Sequence, residues 1–276
     1  MRVVTISRQV GSYGDVVAAI VARKLRLELI SREKIHELAQ TCDPEYSDAC
    51  TIYESEHGPG WLERIFFDRP SYTSLFESLA YESAAKGNVV IVDRGAQVVL
   101  RDTPGVFRVR MVAPARVRVE RIRERFHFSK EEALDFVYTH DRERRNLITA
   151  VFDVDPRDWS LYDMILNTHH YNAGNAAEVV ISAIENMAEL ADKDAVREEL
   201  NNKAVAKRIE TLIRKKLTSV VARNVEVALQ SGGNAVLSGR IRSDKDKRQA
   251  EEIARNYQGI TEVDNQLRVT ELSFGL

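Results

Sequence analysis

The residue types best suited to phosphate chemistry stand in the turn Gly11-Ser12-Tyr13-Gly14. The apolar, β-branched run 1–6 that precedes it predicts a buried strand. The apolar residues of 16–21 recur at helical spacing and predict a helix after the turn. The free N–H groups and the dipole at such a helix start favour phosphate. The pattern therefore predicts an anion site, and a tight turn without a ligand is the alternative.

This turn departs from the usual phosphate loop, G-x-x-x-x-G-K-[ST]. The position of the lysine carries Gly14, and Asp15 and Val16 follow it. A carboxylate near phosphate groups repels them, at a cost of about 1 kcal/mol even in water-like surroundings. The turn alone thus does not establish nucleotide binding.

A second group of candidate residues follows the clearest strand in the sequence. The run 88–92 is apolar on both faces, as a central parallel strand should be, and leads directly into Asp93-Arg94-Gly95. An acid at the carboxyl end of such a strand faces the crevice where α/β proteins bind ligands. An Asp–Arg pair or a helix cap is the structural alternative.

Two arginine-rich helices are predicted at 116–125 and 130–151. Arg118, Arg121 and Arg125 share one face of the first. The second carries the run 141–145, which reads DRERR. Two such helices, joined by a short turn, can fold over a phosphate and supply bidentate donors and positive charge. Charge runs that merely face solvent are the alternative.

The elements around these residues alternate between strand and helix. Strands are predicted at 1–6, 27–30, 88–92, 106–112 and 162–167, with helices between them, including two at 61–67 and 74–85. This alternation predicts an α/β fold with a three-layer parallel sheet. Function in such a fold lies at the carboxyl ends of the strands, where Ser7-Arg8, Ser31-Arg32, Asp93-Arg94 and Asn167-Thr168 fall.

A second domain is predicted near the carboxyl terminus. The polar stretch 191–202 is predicted to be a linker between domains at 1–190 and 203–272. Beyond it the order helix, strand, strand, helix, strand indicates a small α+β (αββαβ) unit. Basic residues are in excess after Ala195 and acidic residues before it, which suggests different partners for the two domains.

Composition limits the remaining possibilities. The 276 residues are 44% apolar and 30% charged with a net charge of −2, which is typical of a folded protein and argues against a dedicated nucleic-acid partner. No apolar run approaches the roughly 20 residues of a membrane span, and no signal peptide is predicted. Cys42 and Cys50 form neither a CxxC pair nor a disulfide framework. We therefore expect a cytoplasmic protein.

Six motifs in this order resemble the cytidylate kinase-like family of P-loop proteins, relatives of the nucleoside monophosphate kinases. They are TISRQVGSYG at the first turn, VVIVDRGA around Asp93, FRVRMVAP at 107–114, RVERIRER in the first arginine helix, HDRERR at 140–145 and YDMILNT at 162–168. The carboxyl-terminal segment resembles a BON domain through VLSGRI at 236–241 and GITEVDNQLRV at 259–269. The expected fold is therefore P-loop NTPase-like, followed by a BON-like domain.

The resemblance implies ATP and Mg²⁺ as cofactors and a nucleotide as the principal partner. Residues expected to bind the donor phosphates are Ser7, Arg8, Gly11, Ser12, Tyr13 and Gly14. Residues expected to meet the transferred phosphoryl group are Arg121, Arg125, Arg142, Arg144 and Arg145. Residues expected to bind the acceptor nucleotide are Ser31, Arg32, Arg94 and Asp141, with Asp141 and Arg144 reading cytidine and its phosphate. For the BON domain the resemblance implies a small ligand or an anionic phospholipid, with a regulatory or tethering role.

Two departures from the family pattern qualify the expected activity. Asp15 stands where the family often has arginine, and Asp93 replaces the glycine usual before Arg-Gly-Ala. Asp93 could bind Mg²⁺ directly or through water, and Arg8 could partly replace the missing lysine. The alternative is a catalytically inactive pseudokinase whose BON domain is the working part. A dinucleotide-binding oxidoreductase is disfavoured because the G-x-G-x-x-G spacing is absent.

Overall fold

The computed structural model describes residues 1–42, 61–188, 192–217 and 221–270. The chain divides into two compact units. The first comprises residues 1–59 and 86–197, and the second comprises residues 60–85 and 198–276.

The first unit is built on a five-stranded parallel sheet, which confirms the predicted fold class. Its strands are β1 (Val3–Arg8), β2 (Glu28–Ile30), β3 (Val89–Val92), β4 (Val106–Val112) and β5 (Met164–Asn167). Their order is β2-β3-β1-β4-β5, so β1 is central and pairs with β3 and β4. The carboxyl ends of β1 and β3 therefore lie side by side, which brings Arg8 and Asp93 to the same edge of the sheet.

The helices of this unit begin and end at recognisable signals. They are α1 (Gly14–Leu25), α2 (Arg32–Cys42), α4 (Ala96–Val99), α5 (Ala115–Phe126), α6 (Lys130–Phe152) and α7 (Ala173–Glu185). A capping box opens α6, in which Ser129 accepts from the amide of Glu132 and the Glu132 carboxylate accepts from the amide of Ser129. Asn172 caps α7 in the same position through its side chain.

Two apolar clusters hold the first unit together. The larger one packs Val17 and Val21 of α1 and Val180 of α7 with the inner strands. A smaller one joins α5 to α6 through Val119, Ile122 and Val137 and includes Val10 of the glycine turn. The turn is therefore anchored in the same cluster as the two arginine-rich helices.

The second unit combines helix α3 (Trp61–Lys86, whose last residue belongs to the first unit) with a carboxyl-terminal αββαβ arrangement. The remaining elements are α8 (Lys193–Leu217), β6 (Glu226–Gln230), β7 (Asn234–Ser238), β8 (Arg240–Ile241), α9 (Asp244–Arg255), β9 (Glu262–Asn265) and β10 (Arg268–Val269). Strands β6 and β7 form the predicted hairpin, and β9 pairs in parallel with β7. Strand β8 pairs with β10.

Some predicted bounds are corrected by the structure. The two helices predicted at 61–67 and 74–85 are one continuous helix, α3. The helix continues through the stretch between the two predicted ranges into residues whose small side chains, Ser71 and Ser74, are buried. The predicted loop at 41–60 lies outside the described residues from residue 43 onward.

The stretch predicted as a linker is helical from Lys193 onward, as the first part of α8. The Asp192 side chain accepts hydrogen bonds from the amides of Asp194 and Ala195 and so caps this helix. Val196 and Leu200 are buried one turn apart, a short apolar repeat that charged neighbours hide in the sequence. The boundary between the compact units lies within the stretch, between residues 197 and 198.

Candidate functional site

The glycine turn adopts a conformation that few side chains tolerate. Gly11 has φ of 75° and Tyr13 has φ of 66°, both in the left-handed region. A Cβ atom on Gly11 would lie 2.9 Å from the carbonyl oxygen of Arg118, so the turn also requires close approach to α5. Helix α1 then begins at Gly14.

Four consecutive carbonyl groups of this turn have hydrogen-bond donors. The carbonyl of Gln9 accepts from the hydroxyl and the amide of Ser12 at 2.8 and 3.2 Å. The other three accept from side chains: Val10 from Arg118 at 3.1 Å, Gly11 from Arg121 at 3.2 Å, and Ser12 from Thr168 at 3.1 Å. Because a peptide plane directs its C=O and the next N–H to opposite sides, the amides of Gly11 and Tyr13 point away from these donors.

A cavity of about 340 Å³ lies at this start of α1. Its lining includes the turn together with Asp15, Val16, Arg121, Glu124 and Arg125. The first amides of any α-helix have no partner within that helix. The cavity thus combines a helix amino terminus with two guanidinium groups, the two features that attract a polyphosphate.

Arg8 places a guanidinium group beside the glycine turn. Its side chain crosses Gly14 so closely that a Cβ atom there would lie 2.7 Å from Arg8 Cδ. The guanidinium group binds Asp15 at 2.6 Å and forms a short ion pair with Asp93. A cation is therefore present at the turn, and two carboxylates hold it.

The charges around Asp93 keep it ionised. Burial opposes its negative charge, yet the guanidinium groups of Arg8 and Arg144 lower the pKa of Asp93 below its usual value. Arg144 Nε lies 3.5 Å from the Asp93 carboxylate. Conversely, burial alone would lower the pKa of Arg8, but Asp93 and Asp15 raise it.

The arginine partners of Asp93 also affect its predicted role as a ligand of Mg²⁺. Arg8 and Arg144 pair with the Asp93 carboxylate, and the charge of Arg94 also acts on it. Among the described residues, no group of three His, Cys, Asp or Glu side chains is placed to hold a metal ion. A Mg²⁺ ion bound directly by Asp93 would therefore compete with these guanidinium groups, and the role of Asp93 as a metal ligand, direct or through water, stays a prediction.

Arg121 was predicted to meet the transferred phosphoryl group, and the structure places it beneath the turn as well as in the cavity wall. It donates to the carbonyls of Gly11 and Thr168 and lies 3.8 Å from the centre of the Tyr13 ring. Sequence analysis missed the role of Thr168, a fully buried residue that supports the turn.

Asp141 was predicted to read cytidine, and both of its carboxylate oxygens have protein partners. One accepts from the amide of Val10 at 3.1 Å, and the other accepts from Arg118 at 2.7 Å. Arg118 is 5% exposed and was not singled out as a site residue. Its position one helical turn before Ile122, a core residue of the same helix, is the sequence signal that could have revealed its burial.

The remaining predicted residues differ in their surroundings. Arg125, Arg142 and Arg145 are exposed, and Arg125 lines the cavity. Ser7 is buried near Arg110, at 3.4 Å from its guanidinium. Arg94 is half-buried beside Asp93.

The two residues predicted from β2 for the acceptor begin α2. The Ser31 hydroxyl donates to Glu33 at 2.6 Å and accepts from the amide of Lys34, so it acts in the local structure of the helix start. The side chain of Arg32 lies outside the described part of the chain. The roles assigned to these residues stay predictions.

Comparisons with known proteins match two regions of the sequence. The profile of the Cytidylate kinase-like family matches residues 3–170, and the profile of the BON domain matches residues 201–271. A cytidylate kinase of Pyrobaculum islandicum is 27% identical over 185 residues, which cover 67% of this chain and 93% of that protein. A cytidylate kinase of Pyrococcus horikoshii is 30% identical over 117 residues, 42% of this chain and 60% of that protein, so this match spans less than two thirds of the relative.

A solved structure supports the fold. The crystal structure of an uncharacterized protein from Eubacterium ventriosum ATCC 27560 superposes with a TM-score of 0.54 at 20% identity. The match covers 67% of this chain and 99% of that one. Within the described ranges, no helix has the length and apolar character needed to cross a membrane.

Proposed function

Because the chain belongs to the cytidylate kinase-like family and carries a BON domain, we propose that it is an ATP-dependent phosphotransferase. The acceptor in this proposal is a nucleoside monophosphate, with cytidylate as the first candidate. The names of the two archaeal relatives support that choice. The cysteine usage of the sequence supports a cytoplasmic setting.

One observation carries the proposal: the carbonyls of the glycine turn are bound by side-chain donors, and the turn lines a cavity at the start of α1. Free amides, a helix dipole and the guanidinium groups of Arg121 and Arg125 together suit the triphosphate of a nucleotide. A cavity of about 340 Å³ is within the usual range for a small-molecule site.

The residues of the first unit would contribute positioning and charge. Phosphoryl transfer needs little covalent chemistry from the protein, because the transition state is stabilised by alignment and by positive charge on the transferred group. The exposed guanidinium groups of Arg125, Arg142 and Arg145 are free of the loop contacts that engage Arg121. Mg²⁺ would neutralise phosphate charge when it arrives with ATP.

A coupled assay with ATP and each nucleoside monophosphate tests the activity. We expect turnover with at least one acceptor and a loss of about 10- to 100-fold in kcat/KM for Arg125→Ala. Arg123→Ala is the matched control, since Arg123 lies on the same helix, pairs with Glu120 and does not line the cavity. Wild-type turnover no faster than that of Arg144→Ala would contradict the proposal.

A nucleotide-binding protein without turnover is the second candidate. The observation that favours it is the pairing of Arg8 with two carboxylates, which offset the positive charge of the arginine nearest Gly14. Calorimetry that shows ATP binding, combined with no phosphoryl transfer to any monophosphate, would support this candidate over the first. Asp15→Arg, which restores the residue frequent in the family, should then raise ATP affinity.

For the BON domain we propose an anionic ligand, tested with lipid vesicles. The exposed Lys245 and Arg248 on α9 supply positive charge in the second unit. Full-length protein should sediment with vesicles of phosphatidylglycerol and not with vesicles of phosphatidylcholine. The double variant Lys245→Glu/Arg248→Glu should lose this binding, and equal sedimentation with both lipids would contradict the proposal.

A further inference from the structure

Asp141 of α6 and Arg118 of α5 both bind the main chain of the glycine turn at Val10. Its two oxygens bind different partners, the amide of Val10 at 3.1 Å and the guanidinium of Arg118 at 2.7 Å. The same guanidinium nitrogen of Arg118 donates to the carbonyl of Val10 at 3.1 Å. Both main-chain polar groups of Val10 are therefore bound by one ion pair.

We propose that Asp141 and Arg118 are positioning residues for the donor phosphates and that Asp141 does not read the acceptor base. The inference rests on the proposed nucleotide-binding function of this site. It changes the role expected for Asp141 from acceptor recognition to support of the turn that binds the donor.

The burial of the pair supports this assignment. The side chain of Arg118 is 5% exposed and that of Asp141 is 24% exposed, so solvent screens the pair weakly. Arg118 Nε also donates to the carbonyl of Ala113 at 2.9 Å, which fixes the guanidinium to the end of β4. The pair is thus immobilised from three sides: the turn, the strand end and α6.

A base-reading role would have to add to these contacts or break them. A cytosine amino group could bind Asp141 only as an added donor, or by displacing the Val10 amide or Arg118. Displacement would leave a buried donor without a partner, which costs the full desolvation of that group. The positioning role needs no such rearrangement.

The contact also connects the turn to α6, the helix that carries Arg142, Arg144 and Arg145. Arg144 reaches Asp93 at 3.5 Å, and Asp93 binds Arg8 of β1. Two positions just before the turn are therefore connected to α6: Arg8 through its ion pair with Asp93, and Val10 through the hydrogen bond of its amide to Asp141. Loss of the Asp141 contact should loosen the turn while the arginines stay on the helix.

The test compares Asp141→Asn with Asp135→Asn, the same chemical change at an exposed position of the same helix. Calorimetry on the full chain measures dissociation constants for ATP and for CMP separately, so turnover is not needed. We expect Asp141→Asn to weaken ATP binding by about tenfold, to leave CMP binding within twofold, and to speed hydrogen exchange at the Val10 amide. Asp135→Asn should change none of the three.

Arg118→Lys provides a second variant if Asp141→Asn does not fold. It should weaken ATP binding similarly, and the double variant should be no weaker than the stronger single one, because both act through Val10. Weaker CMP binding with unchanged ATP binding would overturn the positioning role alone. Wild-type protein that binds no nucleotide would overturn the proposed function and this inference with it.

Discussion

At the scale of single residues, the surroundings of the glycine turn depend on Arg8, whose guanidinium group two carboxylates bind. In this chain the cation comes from the end of β1, and its side chain passes over Gly14 to reach Asp15 and Asp93. Glycine at position 14 is needed for contact space, since its backbone φ is not in the left-handed region. Gly14 has no side chain, and the side chain of Arg8 passes through the space that one would take.

Gly14→Ala should therefore destabilise the protein. The new methyl group would collide with the side chain of Arg8, whose far end is held by two carboxylates and cannot move aside without breaking an ion pair. We expect a loss of about 1–3 kcal/mol in the free energy of unfolding, measured by urea denaturation. Gly174→Ala is the control, because its Cβ would meet only the Asn172 side chain at 3.3 Å. Equal losses for the two variants would refute the argument.

The ionisation of Asp93 should make the stability of the fold depend on pH. Its folded pKa lies below the ordinary value of about 3.9, so its charge stabilises the fold above about pH 4, and this contribution is lost as the pH falls through the lowered pKa. Asp93→Asn should lower the free energy of unfolding by about 1–3 kcal/mol at pH 7. It should also flatten the decline in stability below pH 4. A variant with the wild-type acid profile would show that Asp93 contributes nothing there.

At the scale of secondary-structure elements, a buried carboxylate joins α8 to the sheet of the second unit. Glu210 is fully buried and accepts from the amide of Val227 on β6 at 3.0 Å. Lys207 and Arg214, one turn away on either side, pair with it at 3.1 and 3.2 Å. The Glu210 carboxylate thus has one amide and two cations as partners. Removing its charge leaves Lys207 and Arg214 with fewer partners.

Glu210→Gln should destabilise the second unit while keeping the size and the backbone contact of the side chain. We expect a loss of about 2–4 kcal/mol in the free energy of unfolding. Urea denaturation monitored by circular dichroism measures this loss. Glu199→Gln is the matched control on the same helix, because its pair with Lys203 is exposed and should contribute less than about 0.5 kcal/mol. A loss at Glu210 as small as the control would contradict the role assigned to it.

At the scale of the whole molecule, sequence order and compact units do not coincide. Helix α3 lies within the range that matches the kinase-like family, yet residues 60–85 cluster with residues 198–276. Contacts that join α3 to α8 include the hydrogen bond that Ser74 accepts from Thr211 at 2.9 Å and the ion pair of Glu77 with Lys207 at 3.2 Å. The predicted domain limits of 1–190 and 203–272 stay untested as functional boundaries.

Truncation after residue 197 tests this organisation. The fragment 1–197 keeps α3 but removes the helix to which it is bonded, so buried groups such as Ser74 and Leu75 lose cover. We expect a lower unfolding midpoint and a lower soluble yield than for the full chain. Removal of only residues 271–276 is the control and should change neither measurement. A fragment 1–197 that matched the full chain would show that the kinase-like region is complete without its carboxyl-terminal partner.

Local patterns in the sequence determined the elements and the general location of the site. Apolar runs and periodicity specified all five parallel strands, and β4 was predicted at the bounds observed. The glycine turn and the acid after β3 also follow from neighbouring residues, because parallel strands direct their carboxyl ends to one edge. The αββαβ order of the carboxyl-terminal region was likewise predicted from local apolar patterns and turn residues.

Only the tertiary structure decided which partner each charged side chain binds. Arg8 meets Asp93 across 85 positions of sequence, and Val10 meets Asp141 across 131. Periodicity reports which face of an element is apolar, but it carries no information on pairings between distant elements. The support of the glycine turn by Arg118, Arg121 and Thr168 depends on packing, as does the association of α3 with the second unit. The sequence alone could therefore not supply either.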